Sequence, residues 1–206
     1  MQKDIAMMAE NDERIVSSVQ HGRTEAFAVL VDRHKDKVYG TIMRLTGDPQ
    51  AAEELAQETF VRAFRSLRTF RGKARFSTWL VQIAINLVRD HVRERRRSRE
   101  ISLDALLERD EGTSILTEMS ASYDPLEELG ERDLMERFEA ALAKIPQDYR
   151  EVFVLHHMQN MSYEDIAAFT GDSVGSLKVR AHRARKLLKE IIFPEERQLT
   201  PNDIVD

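Results

Sequence analysis

The amino-acid sequence predicts an all-α fold. Apolar residues recur at spacings of three and four along most of the 206 residues, which is the period of helices that are buried on one side. Glycine and proline are scarce, with eight and five residues, and the alternating β-branched runs typical of strands are rare. Because 42% of the residues are hydrophobic, we expect the helices to bury true cores in one or two domains.

Two helices are predicted at the start of a first block over residues 24–97. The first helix carries an apolar stripe along residues 27–45 and ends at Thr46-Gly47-Asp48-Pro49, a sequence that stops one helix and starts another. The second runs from about Gln50 to Leu67. Its predicted inward residues are Ala52, Leu55, Ala56, Phe60, Ala63 and Phe64, and its predicted outward residues are Glu53, Glu54, Gln57, Glu58 and Arg62.

A third helix in this block combines an apolar face with a polar face. It follows the basic loop Phe70–Phe76, is capped by Ser77 or Thr78, and runs from Trp79 past Arg93. Its predicted buried face is Trp79, Leu80, Ile83, Ala84, Leu87 and Val88, and its opposite face is Gln82, Asn86, Arg89 and Arg93. Amides bind base edges and guanidinium groups bind phosphates. The loop and the polar face therefore predict a nucleic-acid surface, with Trp79 as its structural anchor.

A second helical block is predicted over residues 134–192. Its first helix ends before Pro146, which opens the next helix. The capping-box-like sequence Ser162–Asp165 starts a short helix, and Gly171–Ser173 separates it from a last helix over residues 174–192. The predicted inward residues of the first two helices are Leu134, Phe138, Leu142, Ile145, Tyr149, Val152, Phe153 and Leu155.

The last two helices have the lengths of a helix-turn-helix. Helices cross closely only where small residues lie at the contact, and Ala167 and Gly171 are suited to that place. The predicted inward stripe of the last helix is Val174, Leu177, Ala181, Ala184 and Leu188, and its outward face is Lys178, Val179, His182, Arg183, Lys186 and Lys189. Such a face matches the acceptors and thymine methyls of the major groove. It predicts binding of duplex DNA, with a solvated surface hairpin as the alternative.

Charge is segregated along the chain, although the net charge is −5. Residues 62–99 contain twelve Lys and Arg against two acids, and residues 172–190 contain six against two. Between them, residues 100–151 contain fifteen acids against five Lys and Arg. The two basic segments predict two surfaces for a polyanion. Aromatic residues beside the first one favour nucleic acid that is partly single-stranded.

The sequence disfavours several other classes of protein. The absence of cysteine excludes disulfides and cysteine-based metal sites and fits a reducing cytoplasm. No apolar run approaches about 20 residues, the length that crosses a bilayer, and we expect neither a secretory signal nor membrane insertion. His156 and His157 are neighbours that make a poor metal pair, and no phosphate loop, serine elbow or zinc-protease motif occurs. We therefore predict no enzymatic activity, no catalytic residue, no metal and no cofactor.

Ordered motifs in both blocks resemble those of bacterial extracytoplasmic-function (ECF) sigma factors, the smallest members of the sigma-70 family. The first block resembles sigma region 2 through Leu45–Asp48, Ala52–Phe60, Phe70–Gly72, Thr78–Leu80 and Ile83–Asn86, followed by an arginine tract. The second block resembles sigma region 4 through Ile145-Pro146, Tyr149–Phe153, Ser162–Ala167 and Val174–Arg180. The resemblance is to regions 2 and 4 only.

The resemblance implies that this chain is a non-catalytic, cytoplasmic partner of core RNA polymerase. It implies contacts of the chain with the β′ and β subunits and with promoter DNA. Docking on a β′ coiled coil is implied for Glu54, Gln57, Glu58 and Arg62. Capture of the melted non-template strand of the −10 element is implied for Phe70, Arg71, Gly72, Lys73, Arg75, Phe76, Gln82, Asn86, Arg89 and Arg93. Binding of the −35 duplex is implied for Ser176, Lys178, Val179, His182 and Arg183. Members of this group often pair with an anti-sigma factor, which is a further partner to test for.

The expected organisation follows from the resemblance. An N-terminal extension with a first helix covers residues 1–23, region 2 covers 24–97, an acidic and mostly irregular linker covers 98–133, region 4 covers 134–192, and an acidic tail covers 193–206. We hypothesise that linker acids occupy a positive polymerase channel in place of RNA, with a solvated spacer as the alternative. These acids are Glu108, Asp110, Glu111, Glu118 and Asp124.

Three other functions are open at this point. A stand-alone helix-turn-helix regulator explains residues 162–189 but not Trp79 and the arginines after it. A helical nuclease would turn over DNA with a metal, and a structural polymerase-binding module would lack promoter preference. A free regulator binds duplex promoter without polymerase, whereas a sigma factor needs the core enzyme.

Overall fold

A computed structural model describes residues 11–107 and 131–194 and confirms the all-α fold, because these two ranges contain no strand. The helices are α1 (Asp12–Gln20), α2 (Phe27–Thr46), α3 (Pro49–Ser66), α4 (Phe76–Leu107), α5 (Glu131–Lys144), α6 (Gln147–Phe153), α7 (Tyr163–Thr170) and α8 (Val174–Ile192). Short 3₁₀ turns lie at Thr24–Ala26 and Leu67–Thr69, and a π-helical turn at Val154–Met158 continues α6.

The boundary between α2 and α3 follows from local chemistry. Gly47 ends α2 with a φ of +67°, a left-handed conformation that glycine adopts without a steric penalty. The Asp48 carboxylate accepts hydrogen bonds from the backbone N–H groups of Gln50 at 3.1 Å and Ala51 at 3.2 Å. Pro49 is the first residue of α3. At this position a backbone N–H would have no partner within the helix, so proline, which lacks one, costs no hydrogen bond. The predicted stop-and-restart signal is confirmed.

Helix α1 packs on the helices that follow it. Its apolar face is buried, with Ile15, Val16 and Val19 exposed by 0%, 3% and 8%. The Asp12 carboxylate accepts a hydrogen bond from Arg33 Nη1 at 2.9 Å and lies 2.8 Å from His34 Nε2, and both partners belong to α2. Helix α1, expected within an N-terminal extension, therefore packs on the bundle of α2–α4. As observed, the first block comprises α1–α4 and the second block comprises α5–α8.

The two blocks pack against each other and share one apolar core. Helix α2 contacts α5, α6 and the π-helical turn. The core includes Leu30, Ile42 and Leu80 from the first block and Leu142 and Leu155 from the second, all nearly inaccessible to solvent. This packing brings the two predicted DNA surfaces into a single compact body.

Helix α4 is longer than predicted at both ends. It begins at Phe76 rather than Trp79 and continues to Leu107, so residues 98–107, expected at the start of the irregular linker, are helical. These residues contain no glycine or proline, and the helix therefore meets no breaker there. The rest of the linker up to Gly130, with the five acids of the channel hypothesis, lies outside the described residues, as do residues 1–10 and 195–206.

The predicted inward position of Leu134 is wrong. Leu134 is 45% exposed and its neighbour Met135 is 55% exposed. Helix α5 instead packs through residues nearer its C-terminus, where Leu142 and Ile145 are buried and Phe138 is half-buried. Leu134 and Met135 are thus left uncovered, although the spacing of Leu134 from Phe138 is that of one helix face.

Gly171 is required for its backbone conformation rather than for the predicted close helix contact. Its φ is +78°, and an added Cβ would meet no atom within 4 Å. It ends α7 in the left-handed conformation, where its N–H donates to the carbonyl oxygen of Ala167 at 3.0 Å. The helix-turn-helix turn therefore depends on a residue that tolerates positive φ.

We expect Gly171→Ala to destabilise the protein by about 1–2 kcal/mol, because an L side chain is strained at this φ. The matched control is Gly175→Ala inside α8, where an added Cβ would lie 4.0 Å from Ser173 Oγ, an ordinary van der Waals contact. The control should be neutral or stabilise the protein by up to about 1 kcal/mol. Urea unfolding of both variants measures the difference, and equal effects would contradict this reading of the turn.

Candidate nucleic-acid interface

Helices α7 and α8 begin at serine caps that fix the helix-turn-helix. Ser162 Oγ accepts a hydrogen bond from the N–H of Asp165 at 3.0 Å, and Ser173 Oγ accepts one from the N–H of Ser176 at 3.2 Å. The predicted inward stripe of α8 is buried at Leu177, Ala181, Ala184 and Leu188, and Val174 is half-buried. This stripe fixes the rotation of α8 and turns its opposite face outward.

The structure places the predicted −35 residues together on that outward face. Lys178, His182 and Arg183 are exposed, Val179 is 50% exposed, and Ser176 is half-buried. Cations and one exposed apolar side chain therefore share a single strip of α8. Such a strip can donate hydrogen bonds to guanine and contact a thymine methyl in a major groove.

Arg180 has a structural role that the sequence did not reveal. Its guanidinium donates to both carboxylate oxygens of Asp172, at 3.0 and 2.9 Å. Asp172 lies in the turn, and its N–H donates to Thr170 Oγ1 at 3.2 Å. This bidentate pair ties the turn to the second helix of the motif. An acid in the turn, eight residues before an arginine, was the available signal.

The loop between α3 and α4 is held by hydrogen bonds to the end of α1 and exposes its cationic side chains. Gln20 Nε2 donates to the carbonyl oxygens of Leu67 at 2.8 Å and Phe70 at 3.0 Å, which ties the loop to the end of α1. The predicted contact residues Arg71, Gly72, Lys73 and Arg75 are exposed. Gly72 has a φ of +67°, which lets the loop turn with its cations outward.

An aromatic cluster supports this loop and corrects one predicted contact. Phe70 lies 4.9 Å from Trp79 and 6.0 Å from Phe76, measured between ring centroids. Phe76 is 0% exposed, so its predicted role as a −10 contact is wrong in this structure, because a core side chain cannot reach DNA. Phe70 and Trp79 are partly buried against the core, in keeping with an anchoring role for Trp79.

The polar face of α4 is only partly exposed to solvent. Asn86 and Arg93 are exposed, while Gln82 is half-buried. Arg93 Nη1 lies 3.6 Å from Asp90 Oδ1 one turn earlier. Such a surface pair contributes little to stability, so the guanidinium remains free to exchange partners. Asn86 is thus the amide of this face that is best placed to reach a base.

Arg89, predicted to contact the −10 strand, is engaged by the second block. Its Nε lies 3.1 Å from each carboxylate oxygen of Glu151, and its Nη2 also donates to Glu151 Oε1. The same guanidinium lies 5.8 Å above the ring of Phe169. Glu151 is only 7% exposed, which strengthens the attraction between the charges. A carboxylate of the second block thus takes the place that a DNA phosphate would need.

Further polar contacts join the two blocks. Arg150 donates to the carbonyl oxygen of Leu45 in α2 at 3.2 Å, and to those of Ala143 and Ile145 at 2.7 and 3.1 Å. Burial lowers the pKa of Arg150 below its ordinary value. Two further contacts across the blocks are Arg44 Nε to Glu139 Oε1 at 2.8 Å and Gln159 Nε2 to Thr41 Oγ1 at 2.8 Å. Sequence reasoning missed this set, because partners so far apart in the chain leave no periodic signal.

The two adjacent histidines lie on the π-helical turn. Their ring centroids are 4.8 Å apart, and His156 also stacks on Tyr163 at 3.9 Å. Burial lowers the pKa of His157, and the neighbouring charges of His156 and Arg185 act in the same direction. Among residues 11–107 and 131–194, no group of three or more His, Cys, Asp and Glu could hold a metal ion. No helix within the same ranges is long and apolar enough to cross a membrane.

Helix α3 carries the predicted polymerase contacts, and exposed apolar side chains lie next to them on the same face. Glu54, Gln57 and Arg62 are exposed and Glu58 is half-buried, with Arg62 Nε donating to Glu58 Oε1 at 2.7 Å. The exposed face continues with apolar side chains that were not predicted as contacts.

Phe64 was predicted to point inward, and this prediction is wrong. Phe64 is 43% exposed and Val61 is 41% exposed. The ring of Phe64 is tilted by 60° against that of Phe27, with ring centroids 5.1 Å apart, and an apolar pocket lies among Phe27, Phe60, Val61 and Phe64. The spacing of Val61 from Gln57, four residues, was the signal that this face continues.

Comparison with protein families finds two matches in chain order. A model of Sigma-70 region 2 matches residues 30–98. A model of Sigma-70, region 4 matches residues 135–188. The first range includes most of α2, all of α3 and most of α4, and the second includes α7 and most of α8. The matched ranges therefore contain the predicted polymerase and DNA contacts described above.

Comparison with individual proteins gives the same result. The RNA polymerase sigma-H factor of Pseudomonas aeruginosa is 33% identical over 187 residues, which cover 90% of this chain and 95% of that protein. The ECF RNA polymerase sigma factor SigW of Bacillus subtilis is 33% identical over 176 residues, 85% of this chain and 93% of that protein.

Two solved structures resemble the fold. The sigma factor RpoE in complex with the anti-sigma factor NepR from Bartonella quintana matches with a TM-score of 0.58 and 26% identity, over 81% of this chain and 96% of that chain. CnrH in complex with the cytosolic domain of CnrY matches with a TM-score of 0.61 and 26% identity, over 90% of this chain and 99% of that chain.

Proposed function

The chain belongs to the extracytoplasmic-function group of the sigma-70 family, and we propose from this premise how it directs promoter-specific initiation by RNA polymerase. The proposal assigns two surfaces to DNA and one to the polymerase. The observation that carries it is the presence, in one chain, of an exposed cationic strip on a helix-turn-helix and of a separate cationic loop that leads into a helix with an exposed amide.

The −35 element is bound as duplex by the outward face of α8. Lys178 and Arg183 donate to base edges or phosphates, Val179 and His182 contact base edges, and Ser176 lies near a phosphate. The support is that these five side chains lie on one strip, opposite the stripe in which Leu177, Ala181, Ala184 and Leu188 are buried. A helix of this kind enters the major groove with its N-terminal residues towards the bases.

The −10 element is bound as a melted non-template strand by the loop at residues 70–75 and by α4. Arg71, Lys73 and Arg75 bind the backbone, and Asn86 reads an unstacked base. Extrusion of a base costs a few kcal/mol, which sequence-specific capture offsets. Melting thereby depends on sequence and uses no catalytic chemistry of the chain, in keeping with a family that is not a class of enzymes.

The two blocks must separate on a promoter. By their numbering, the −35 and −10 elements lie about 25 base pairs apart, or about 85 Å of duplex at about 3.4 Å per base pair. In the compact body, Arg89 is bonded to Glu151 across the blocks. Arg89 therefore reaches the −10 strand only after Glu151 has left it.

Core polymerase docks on α3 through Glu54, Gln57, Glu58 and Arg62, with Val61 and Phe64 as apolar anchors. Burial of exposed apolar side chains supplies affinity, while the charged neighbours set orientation. The chain acts where the polymerase is, in the cytoplasm. An anti-sigma factor is a further partner, by analogy with the complexes of RpoE and CnrH. A stand-alone regulator is not favoured, because it leaves α3 and the loop at residues 70–75 without a role.

We expect Phe64→Ala and Val61→Ala each to weaken core polymerase binding about fivefold to twentyfold, or about 1–2 kcal/mol. The measurement is fluorescence anisotropy of the labelled chain titrated with core enzyme. The control is Met135→Ala, which removes a side chain that is 55% exposed on α5 and should leave the affinity unchanged. Unaltered binding by both α3 variants would contradict the assignment.

The proposed function is tested by run-off transcription with core polymerase on a promoter library with randomised −10 and −35 elements. We expect transcripts enriched for one sequence at each element and none from the core enzyme alone. Transcripts without preference at either element would overturn the proposal. Tight binding of the free chain to duplex promoter would favour the regulator instead.

A further inference from the structure

The side chains that point outward from α8 are not equally constrained. Arg183 Nη1 donates a hydrogen bond to the hydroxyl oxygen of Tyr149 at 3.2 Å. Tyr149 belongs to α6, a different helix of the second block. Lys186, by contrast, has its carboxylate neighbour Glu190 on α8 itself, at 4.0 Å. The Arg183 side chain is thus hydrogen-bonded to a residue of another helix.

Tyr149 is suited to hold another side chain in place. Its ring is partly buried against the apolar core, and α6 packs directly on α8. A tyrosine has two rotatable side-chain bonds, so once its ring is packed the hydroxyl has a nearly fixed position. An arginine side chain is long and loses much rotamer freedom when it is ordered. A fixed acceptor at its tip removes part of that loss before any ligand arrives.

A second tyrosine has a related position beside Lys178. The Lys178 ammonium lies 5.9 Å from the centroid of the Tyr163 ring, within the range of a cation–π contact. Tyr163 is in turn stacked on His156 at 3.9 Å, and His156 Nδ1 lies 2.8 Å from the carbonyl oxygen of Met161. Here the ring and not the hydroxyl makes the contact, which provides a matched comparison.

We propose that Tyr149 is a positioning residue whose hydroxyl orients the Arg183 guanidinium for recognition of one base pair of the −35 element. The proposal rests on the proposed function, since it takes Arg183 as a residue that contacts DNA. Tyr149 sets the direction of Arg183 and does not itself read the base. Its loss should therefore relax specificity at the base pair that Arg183 recognises, and leave the other positions unchanged.

The test uses the full chain in complex with core polymerase and a −35 library randomised at each base pair. Arg183→Ala first identifies the base pair whose preference depends on Arg183. We expect Tyr149→Phe, which removes only the hydroxyl, to lower the preference at that same base pair about threefold to tenfold. The double variant should match Arg183→Ala, because the hydroxyl acts only through the guanidinium. Tyr163→Phe keeps the ring that faces Lys178 and should leave every preference unchanged.

The outcomes separate this proposal from the proposed function. A loss of preference in Arg183→Ala without any loss in Tyr149→Phe overturns the positioning role and leaves the function intact. No loss of preference in Arg183→Ala overturns the proposed contact of Arg183 with the −35 element. A uniform loss of binding at all sequences in Tyr149→Phe, accompanied by a lower midpoint of thermal unfolding, would show a merely structural role and would also overturn the proposal.

Discussion

Arg183→Ala is expected to weaken binding of the −35 duplex by about 1–3 kcal/mol, the usual loss for one base contact. Asn86→Ala is expected to slow promoter opening more than it weakens the closed complex. The reason is that α8 meets duplex DNA, whereas Asn86 meets its base only after the strand has unstacked. Closed-complex affinity on intact duplex and the rate of strand opening, followed by a fluorescent base analogue at the −10 element, measure the two steps separately.

A charge-matched control is available on the same helix. Arg185 is exposed like Arg183, but two residues along a helix it points to a different side. Arg185→Ala should therefore produce a small, salt-dependent loss that does not depend on the −35 sequence. Equal effects of the Asn86 and Arg183 variants on both steps would refute the division of labour between the two blocks.

Glu151→Gln is expected to shift the equilibrium between compact and separated blocks about tenfold towards separation, or about 1.4 kcal/mol. The variant keeps the shape of the side chain but removes the charge that holds Arg89, and charged hydrogen bonds contribute about 1.5–3 kcal/mol. Because the two blocks must separate on a promoter, the apparent affinity of the complex with core polymerase for promoter DNA should rise as the separated fraction rises.

Energy transfer between two dyes measures this separation directly. The chain has no cysteine, so Arg68→Cys and Lys186→Cys, both at exposed positions, give one label on each block. Glu151→Gln should lower the transfer efficiency. Asp90→Asn removes a carboxylate that is 61% exposed and is paired with Arg93 within α4, and it should change nothing. Unchanged transfer in the Glu151 variant would show that the ion pair does not hold the blocks together.

Local elements were predictable from the sequence because their causes are local. The turn at Gly47-Asp48-Pro49 combines a left-handed glycine, a capping carboxylate and a proline at the first helical position, and each of these acts within a few residues. The buried stripe of α8 follows the same logic. Its outward face could be assigned residue by residue, and the structure places all of it on one strip.

Contacts between distant residues were not predictable from periodicity. Arg89 fits a polar stripe equally well whether its partner is a phosphate or Glu151, since only tertiary packing brings the carboxylate to it. Phe64 has the spacing of an inward residue, but it packs on α2 only near Phe27 and is 43% exposed. Phe76 was assigned to a loop, although the start of α4 buries it in the core. In each case packing between elements decided the outcome, and a single sequence carries little information on such packing.

Site-specific photo-crosslinking tests the central claim most directly. A photoreactive phenylalanine analogue placed at Lys73 or at Val179, both exposed, would be activated in the complex with core polymerase and promoter DNA. We predict crosslinks from position 73 to the non-template strand of the −10 element and from position 179 to the major groove of the −35 element. Crosslinks from both positions to the same element, or none from position 73 to the non-template strand, would contradict the account.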